Sequence, residues 1–218
     1  MDSNKTVASL HLAKAGRMLL DGGCVIYPTE TFFALGALAT NAAALARIVA
    51  IKDRPATKPL PLLIGEPAQM AAVVPDDFLR GPLGMDFTEL TRRFWPGSLS
   101  LVVPCRESLP GWVKDGLGRV AVRLTPHPTA AELCRLAGGP LVATSANQSG
   151  GLPTAVPETL DTAVIVAVDA VVTQGPPPAG GPASTVVGLL GRRRLIIYRE
   201  GAIGIEALYS AGYTVCYG

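Results

Sequence analysis

The chain has 218 residues, a length that favours a single domain over residues 1–218. Hydrophobic residues make up 49%, enough for a well-buried core, and the formal charge is +2. That balance does not mark a nucleic-acid binder, so any basic surface must come from local clustering.

Cys24, Cys105, Cys134 and Cys216 form no C-x-x-C pair, and His11 and His127 are not at zinc-ligand spacing. Free thiols in a reducing compartment are expected, and no metal site. The start lacks a basic segment followed by an apolar run, so no signal peptide is expected. No stretch reaches the ~20 apolar residues that span a bilayer. The expectation is a cytoplasmic protein with no membrane contact.

In chain order, Val7, Leu10, Lys14, Met18 and Leu19 fit an amphipathic helix ended by Gly22-Gly23. Cys24 to Tyr27 reads as a short buried strand stopped by Pro28. Asn41 caps a helix with Leu45, Ile48, Val49 and Ile51 on its apolar face. Leu60 to Ile64 reads as a strand, and Pro59 and Pro61 put it near a sheet edge or a bend. A proline-bounded helical stretch covers Gln69 to Val74. Phe87 to Phe94 is a helix broken at Trp95-Pro96-Gly97.

Strands follow at Ser98 to Val103 and Val120 to Leu124, then a helix at Thr129 to Ala137 ended by Gly138-Gly139. Leu141 to Ala143 is a short strand, Val164 to Val168 another, and Gln174 to Pro182 a Pro/Gly loop. Ser184 to Val187 and Leu195 to Tyr198 pair as a hairpin around Gly191. The fold class is α/β, with a mixed sheet and helices packed on it.

Two phosphate-loop look-alikes fail on context. Gly111 to Gly116 begins like a P-loop, but Leu117-Gly118 stands where Lys-Ser/Thr is needed. Gly116, Gly118 and Ala121 match a loose dinucleotide pattern that precedes a strand instead of following one.

Four short segments carry the chemistry. Thr29-Glu30-Thr31 follows a strand at a proline, where the chain leaves the sheet and exposes hydrogen-bonding groups. A capped turn satisfies the same residues. Lys52 and Arg54 close a helix; they either complement its negative end or clamp a phosphate, the lysine as a point charge and the arginine as a fork. Lys58 adds to the same field.

Thr144-Ser145-Ala146-Asn147, followed by Gly150-Gly151, offers hydroxyl, amide and backbone N–H groups as an anion cradle, or simply a hydrogen-bonded turn. Ser145 lacks the G-x-S-x-G frame of a hydrolase nucleophile, and His127 lies between two prolines. Arg119 and Arg123 flank an apolar strand and share one face of it. A buried arginine there needs a carboxylate, from a ligand or from the protein. Arg192-Arg193-Arg194 reads as a solvated turn, and Trp95 and Trp112 as packing residues. These groups bind and orient anions; they include no acid–base dyad. Nucleotidyl transfer, which relies on positioning and charge stabilisation, suits them.

Tyr27-Pro28-Thr29-Glu30-Thr31, Lys52-Asp53-Arg54, Ser145-Ala146-Asn147 and Ser184-Thr185-Val186-Val187, in this order, resemble the YrdC/Sua5 family. Trp95-Pro96-Gly97, Val122-Arg123 with His127-Pro128, and Arg199-Glu200-Gly201 extend the resemblance, which covers a core of about 10–208. It implies an open, twisted mixed sheet with flanking helices and a large concave basic cleft. The implied activity is synthesis of threonylcarbamoyl-AMP and pyrophosphate from L-threonine, bicarbonate or CO2, and ATP. ATP enters as substrate with Mg2+, and there is no permanent cofactor. A separate transferase then modifies adenosine 37 of tRNA, and direct RNA or tRNA contact through the cleft is the accompanying expectation.

By the same resemblance Lys52 and Arg54 meet the ATP phosphates as catalytic groups, and Ser145, Asn147 and Arg199 complete the ATP site. Thr31, Arg123 and Ser184 hold threonine. Three positions depart from the family pattern: Phe33-Ala34 replaces a common Tyr-Gly, Leu63 stands where several relatives have histidine, and Glu200 replaces a common proline. The chain resembles the short form, without an added C-terminal domain. The competing readings are a paralogue of the same fold that binds RNA or nucleotide without synthase activity, and a carbamoyl-adenylating domain of hydrogenase maturation.

Overall fold

The computed structural model describes residues 11–55 and 57–218. Helix α1 (Leu12–Leu20) buries Ala15, Gly16 and Leu19. Val7 and Leu10, assigned to the same helix by periodicity, lie outside the described residues. Strand β1 (Val25–Pro28) continues through Pro28, which pairs with Phe33 of β2 (Phe33–Gly36). Proline is tolerated there because β8 (Ala170–Val171), on the other side of β1, pairs only with Val25 and Ile26. Thr29 closes the β1–β2 turn by donating its N–H and its hydroxyl to the Phe32 carbonyl. The strand over Phe33 to Gly36 is not among the elements expected from the sequence.

Asn41 caps α2 (Ala42–Lys52) by accepting the Ala44 N–H, as expected. Asp53 ends that helix in the left-handed region, at φ 47°. Strand β3 (Leu62–Ile64) is flanked on both sides, by β5 (Arg119–Leu124) and β6 (Leu141–Val142), so it is not at an edge. Pro59 and Pro61 precede the paired residues and cost the ladder nothing. The stretch at Gln69 is a 3-10 turn over Pro67–Ala72. Helix α3 (Gly84–Phe94) and strand β4 (Leu99–Pro104) follow.

Helix α4 (Pro128–Leu136) precedes β6, and β7 (Thr144–Ser145) crosses from β6 into the other sheet. Val164 to Val168 is not a strand. It lies in helix α5 (Thr162–Ala167) and its end, because Asp161 accepts the Ala163 N–H as N-cap and Val164 is buried. Local capping outweighs the β-branched composition. Strands β9 (Thr185–Gly191) and β10 (Arg194–Arg199) form the expected hairpin. Arg193 in its turn pairs with Glu89 at 2.7 Å, so the turn is not merely solvated. Helix α6 (Ile205–Ser210) and strand β11 (Thr214–Tyr217) complete the chain.

The expected mixed sheet with flanking helices is present, divided into two. One has the order β7-β2-β1-β8, the other β11-β10-β9-β4-β5-β3-β6. In the larger sheet β4–β9, β3–β5 and β10–β11 are parallel and the remaining pairs antiparallel. Leu99, Leu101, Val120, Val122, Val187 and Ile197 point from it into the main core, with Leu45 and Ile48 of α2 and Phe87 and Leu90 of α3. A second core joins Leu19, Tyr27, Leu63, Leu133 and Leu141. The pleat sends the alternate residues Ser100, Ala121, Arg123 and Val186 to the opposite face. No described helix is long and apolar enough to cross a membrane.

Candidate functional site

That opposite face of the larger sheet and the β2–β7 side of the smaller one enclose a cavity of about 440 Å³. Its wall includes Thr29, Thr31, Phe33, Ala34 and Ser145 from the smaller sheet and its turn. Ser100, Ala121, Arg123, Ser184, Val186 and Arg199 contribute from the larger sheet, and Arg54 from the segment after α2.

Three guanidinium groups therefore share one hollow. Arg54 donates through Nε to the Lys58 carbonyl and through a terminal nitrogen to the Pro59 carbonyl, both at 2.9 Å. Arg199 donates through Nε to the Ser184 carbonyl at 2.9 Å and through a terminal nitrogen to the Ser184 hydroxyl at 3.0 Å. Burial, followed by the nearby charges of Arg123 and Arg54, pushes the Arg199 pKa down. Arg123 is buried and its Nε donates to Glu30 Oε1 at 2.7 Å. The carboxylate that the sequence required for this arginine is thus supplied by the protein.

Hydroxyls fill the space between the cations. Ser184 Oγ lies 3.2 Å from Ser100 Oγ, and Thr31 is buried in the turn opposite. The Pro/Gly loop over 174–182 clasps this turn, because Gly180 N–H donates to the Thr31 carbonyl. Gly201 lies tight against this wall. A Cβ there would sit 2.0 Å from the Ala183 carbonyl oxygen and 2.9 Å from the Ser184 carbonyl.

Lys52 and Asn147 are not part of the wall. The Lys52 ammonium is buried and donates to the carbonyls of Ser145 and Asn147, so it reaches the wall through the turn that carries Ser145. Burial first, then the charge of Arg54, lowers its pKa to about 8. Ser149 N–H donates back to the Lys52 carbonyl. Helix α2 is in this way knitted to the loop after β7, and Lys52 fixes the turn that presents Ser145. The Asn147 amide donates to the Gln148 and Gly151 carbonyls, and its buried Oδ1 has no partner among the described residues.

Phe33 and Ala34 both line the cavity, whereas Leu63 is buried in the second core. Arg119 shares a face of β5 with Arg123, as the spacing requires, but it pairs with Asp115 at 2.8 Å away from the cavity. His127 is buried, with Nε2 2.9 Å from the Pro176 carbonyl oxygen. Three groups escaped sequence reasoning as site residues: Glu30, Ser100 and Thr125. Glu30 stands inside a motif already singled out, and the alternation along β4 puts Ser100 on the Arg123 face. Thr125 carried no signal.

The Sua5_yciO_yrdC family model, described as "telomere recombination", matches residues 17–201. The chain belongs to this family. A threonylcarbamoyl-AMP synthase of Halorhodospira halophila is 41% identical over 139 residues, which cover 64% of this chain and 70% of that one. One of Methylococcus capsulatus is 36% identical over 151 residues, 69% of this chain and 78% of that one. Among solved structures, P. abyssi Sua5 complexed with L-threonine aligns at 29% identity and a TM-score of 0.82. The alignment covers 94% of this chain, which spans only 58% of that archaeal protein.

Proposed function

We propose that this protein is a threonylcarbamoyl-AMP synthase, an enzyme of the nucleotidyl-transfer type. The observation that carries the reading is the convergence of Arg54, Arg123 and Arg199 on one hydroxyl-lined cavity. Such a site suits a ligand pair with one carboxylate and several phosphates. The names of the bacterial relatives and the threonine complex of the archaeal one support the same substrates.

In this reading Arg123 takes the threonine carboxylate, with Thr31 and Ser184 on its hydroxyl and amino groups. Arg54 and Arg199 take the phosphates, and the Ser145 to Asn147 turn, held by Lys52, lies beside the α-phosphate. The threonine amine, once deprotonated, adds its lone pair to the carbon of CO2, one C=O π pair moves to oxygen, and the nitrogen releases a proton to solvent to leave a carbamate. A carbamate oxygen then forms a bond to the α-phosphorus. The bond to the bridging oxygen breaks, and its electron pair leaves with pyrophosphate. The arginines stabilise charge that shifts towards the leaving group. Among the described residues no three carboxylate, thiol or imidazole side chains cluster. Magnesium would accordingly arrive on the ATP phosphates rather than in a protein cage.

The described residues work as one catalytic unit in this account, located in the cytoplasm. The product, an activated acyl phosphate, goes to a separate transferase that modifies adenosine 37 of tRNA. The test is pyrophosphate release by purified protein with ATP and Mg2+, adding L-threonine and bicarbonate separately and together. Release that needs both is expected. Release that ignores threonine, or none at all, would sink the assignment.

A further inference from the structure

The three guanidinium groups on the cavity differ in what balances them. Arg54 and Arg199 hold only carbonyl and hydroxyl oxygens. Neither makes an ion pair among the described residues. Arg123 alone faces a carboxylate, and that carboxylate is itself fixed. Glu30 Oε1 accepts from Arg123 Nε at 2.7 Å, while Oε2 accepts from Thr125 Oγ1 at 2.8 Å. The Thr125 oxygen in turn accepts the His127 N–H at 3.1 Å. The pair is well shielded, with side-chain exposures of 6% for Arg123 and 12% for Glu30.

Two physical consequences follow. Gripping a guanidinium by Nε fixes the plane of the group and leaves its terminal nitrogens, which carry most of its donors, for a ligand. A buried carboxylate beside the arginine also cancels its net charge. A multiply charged phosphate gains most from an uncompensated cation, whereas a single carboxylate needs mainly the two-pronged hydrogen-bond geometry. Resting on the synthase reading, we propose that Glu30 is the residue that reserves Arg123 for the amino-acid carboxylate and directs phosphate oxygens to Arg54 and Arg199. Glu30 is a positioning and anion-sorting residue; it acts through Arg123.

Glu30→Gln keeps an acceptor for Arg123 Nε and removes the charge. With ATP present the apparent KM for L-threonine should rise about tenfold, because phosphate oxygens then compete for the uncompensated Arg123. Inorganic pyrophosphate should become a competitive inhibitor against threonine, and in the native protein it should not compete. Glu30→Asp retains the charge and should show no such competition, even with weakened threonine binding. A folded Glu30→Gln protein with native threonine KM and native inhibition pattern would overturn the proposal. If Glu30→Gln does not fold, Thr125→Val decides. It frees Oε2 but keeps the charge, so threonine KM should rise without pyrophosphate competition, and an unchanged KM would overturn the idea.

Calorimetric titration of L-threonine, with and without inorganic pyrophosphate, reads the same competition without turnover. Native protein that binds threonine yet releases no pyrophosphate would end the synthase reading while still judging Glu30. Native protein in which pyrophosphate already displaces threonine would end the Glu30 proposal alone.

Discussion

The Lys52 ammonium donates to the main-chain carbonyl of Asn147, which lies 95 residues further along the chain. With the Ser145 carbonyl as second acceptor, this one side chain sets the turn that carries Ser145 to the cavity. Removing it leaves two backbone acceptors in a buried place without their donor. Above the lowered pKa of Lys52, where no buried charge has to be offset, Lys52→Ala should lower stability by about 1–3 kcal/mol, the usual cost of orphaned buried polar groups. It should also raise the KM for ATP. Thermal unfolding and kinetics on the same sample test both, and a Tm equal to the native value would refute the clamp.

The same lysine predicts a pH effect. Burial lowers its pKa to about 8, below the usual lysine range. Between that pH and the ordinary lysine pKa the unfolded chain binds the extra proton and the native one does not. Stability contributed by this group therefore increases with pH across that window, and the cost of the buried charge is fully present below it. Activity should move the other way, declining above about pH 8 as the ammonium loses its charge. In Lys52→Met the alkaline limb should disappear from the kcat/KM profile; a limb of native shape in that variant refutes the assignment.

Arg54 contacts only backbone carbonyls and faces the cavity. Arg54→Ala should raise the KM for ATP by at least about tenfold, given the ~1.5–3 kcal/mol of a charge-assisted hydrogen bond. The KM for threonine should change by less than about twofold. Equal effects on both substrates would remove the phosphate role.

Arg123→Ala should do the reverse and also destabilise the fold, because it strands Glu30 in a nearly buried position. The loss should approach about 3 kcal/mol, the lower end for breaking a buried pair, since Glu30 keeps some water contact. The double variant Arg123→Ala/Glu30→Ala should regain part of the lost stability without regaining threonine binding. A double variant less stable than the single one contradicts this account.

Gly201 tests the wall itself. Alanine there would bring its Cβ to 2.0 Å from the Ala183 carbonyl oxygen, and backbone must shift. The backbone it displaces is that of Ala183 and Ser184, just before β9, and Ser184 touches Arg199 and Ser100. Gly201→Ala should therefore raise KM for both substrates and lower Tm by several degrees, about 1–3 kcal/mol of overpacking. Native kinetics would show that the wall tolerates the shift.

The ordered motifs, the alternation of β5 and the cap at Asn41 were legible in the sequence, because each depends on residues a few positions apart. Period-two spacing alone put Arg119 and Arg123 on one face. What local spacing does not contain is partnership across the fold. Val164 to Val168 has strand-like composition and became the end of a helix once Asp161 capped it. Lys52 and Arg54 stand two apart, yet one is spent on backbone carbonyls and the other faces the cavity. Arg123 needed a carboxylate, and only the meeting of the two sheets decided that Glu30 supplies it. Sequence determined the residue types and their periodicity. Tertiary structure decided which charges are neutralised, since that follows from distances between residues far apart in the chain.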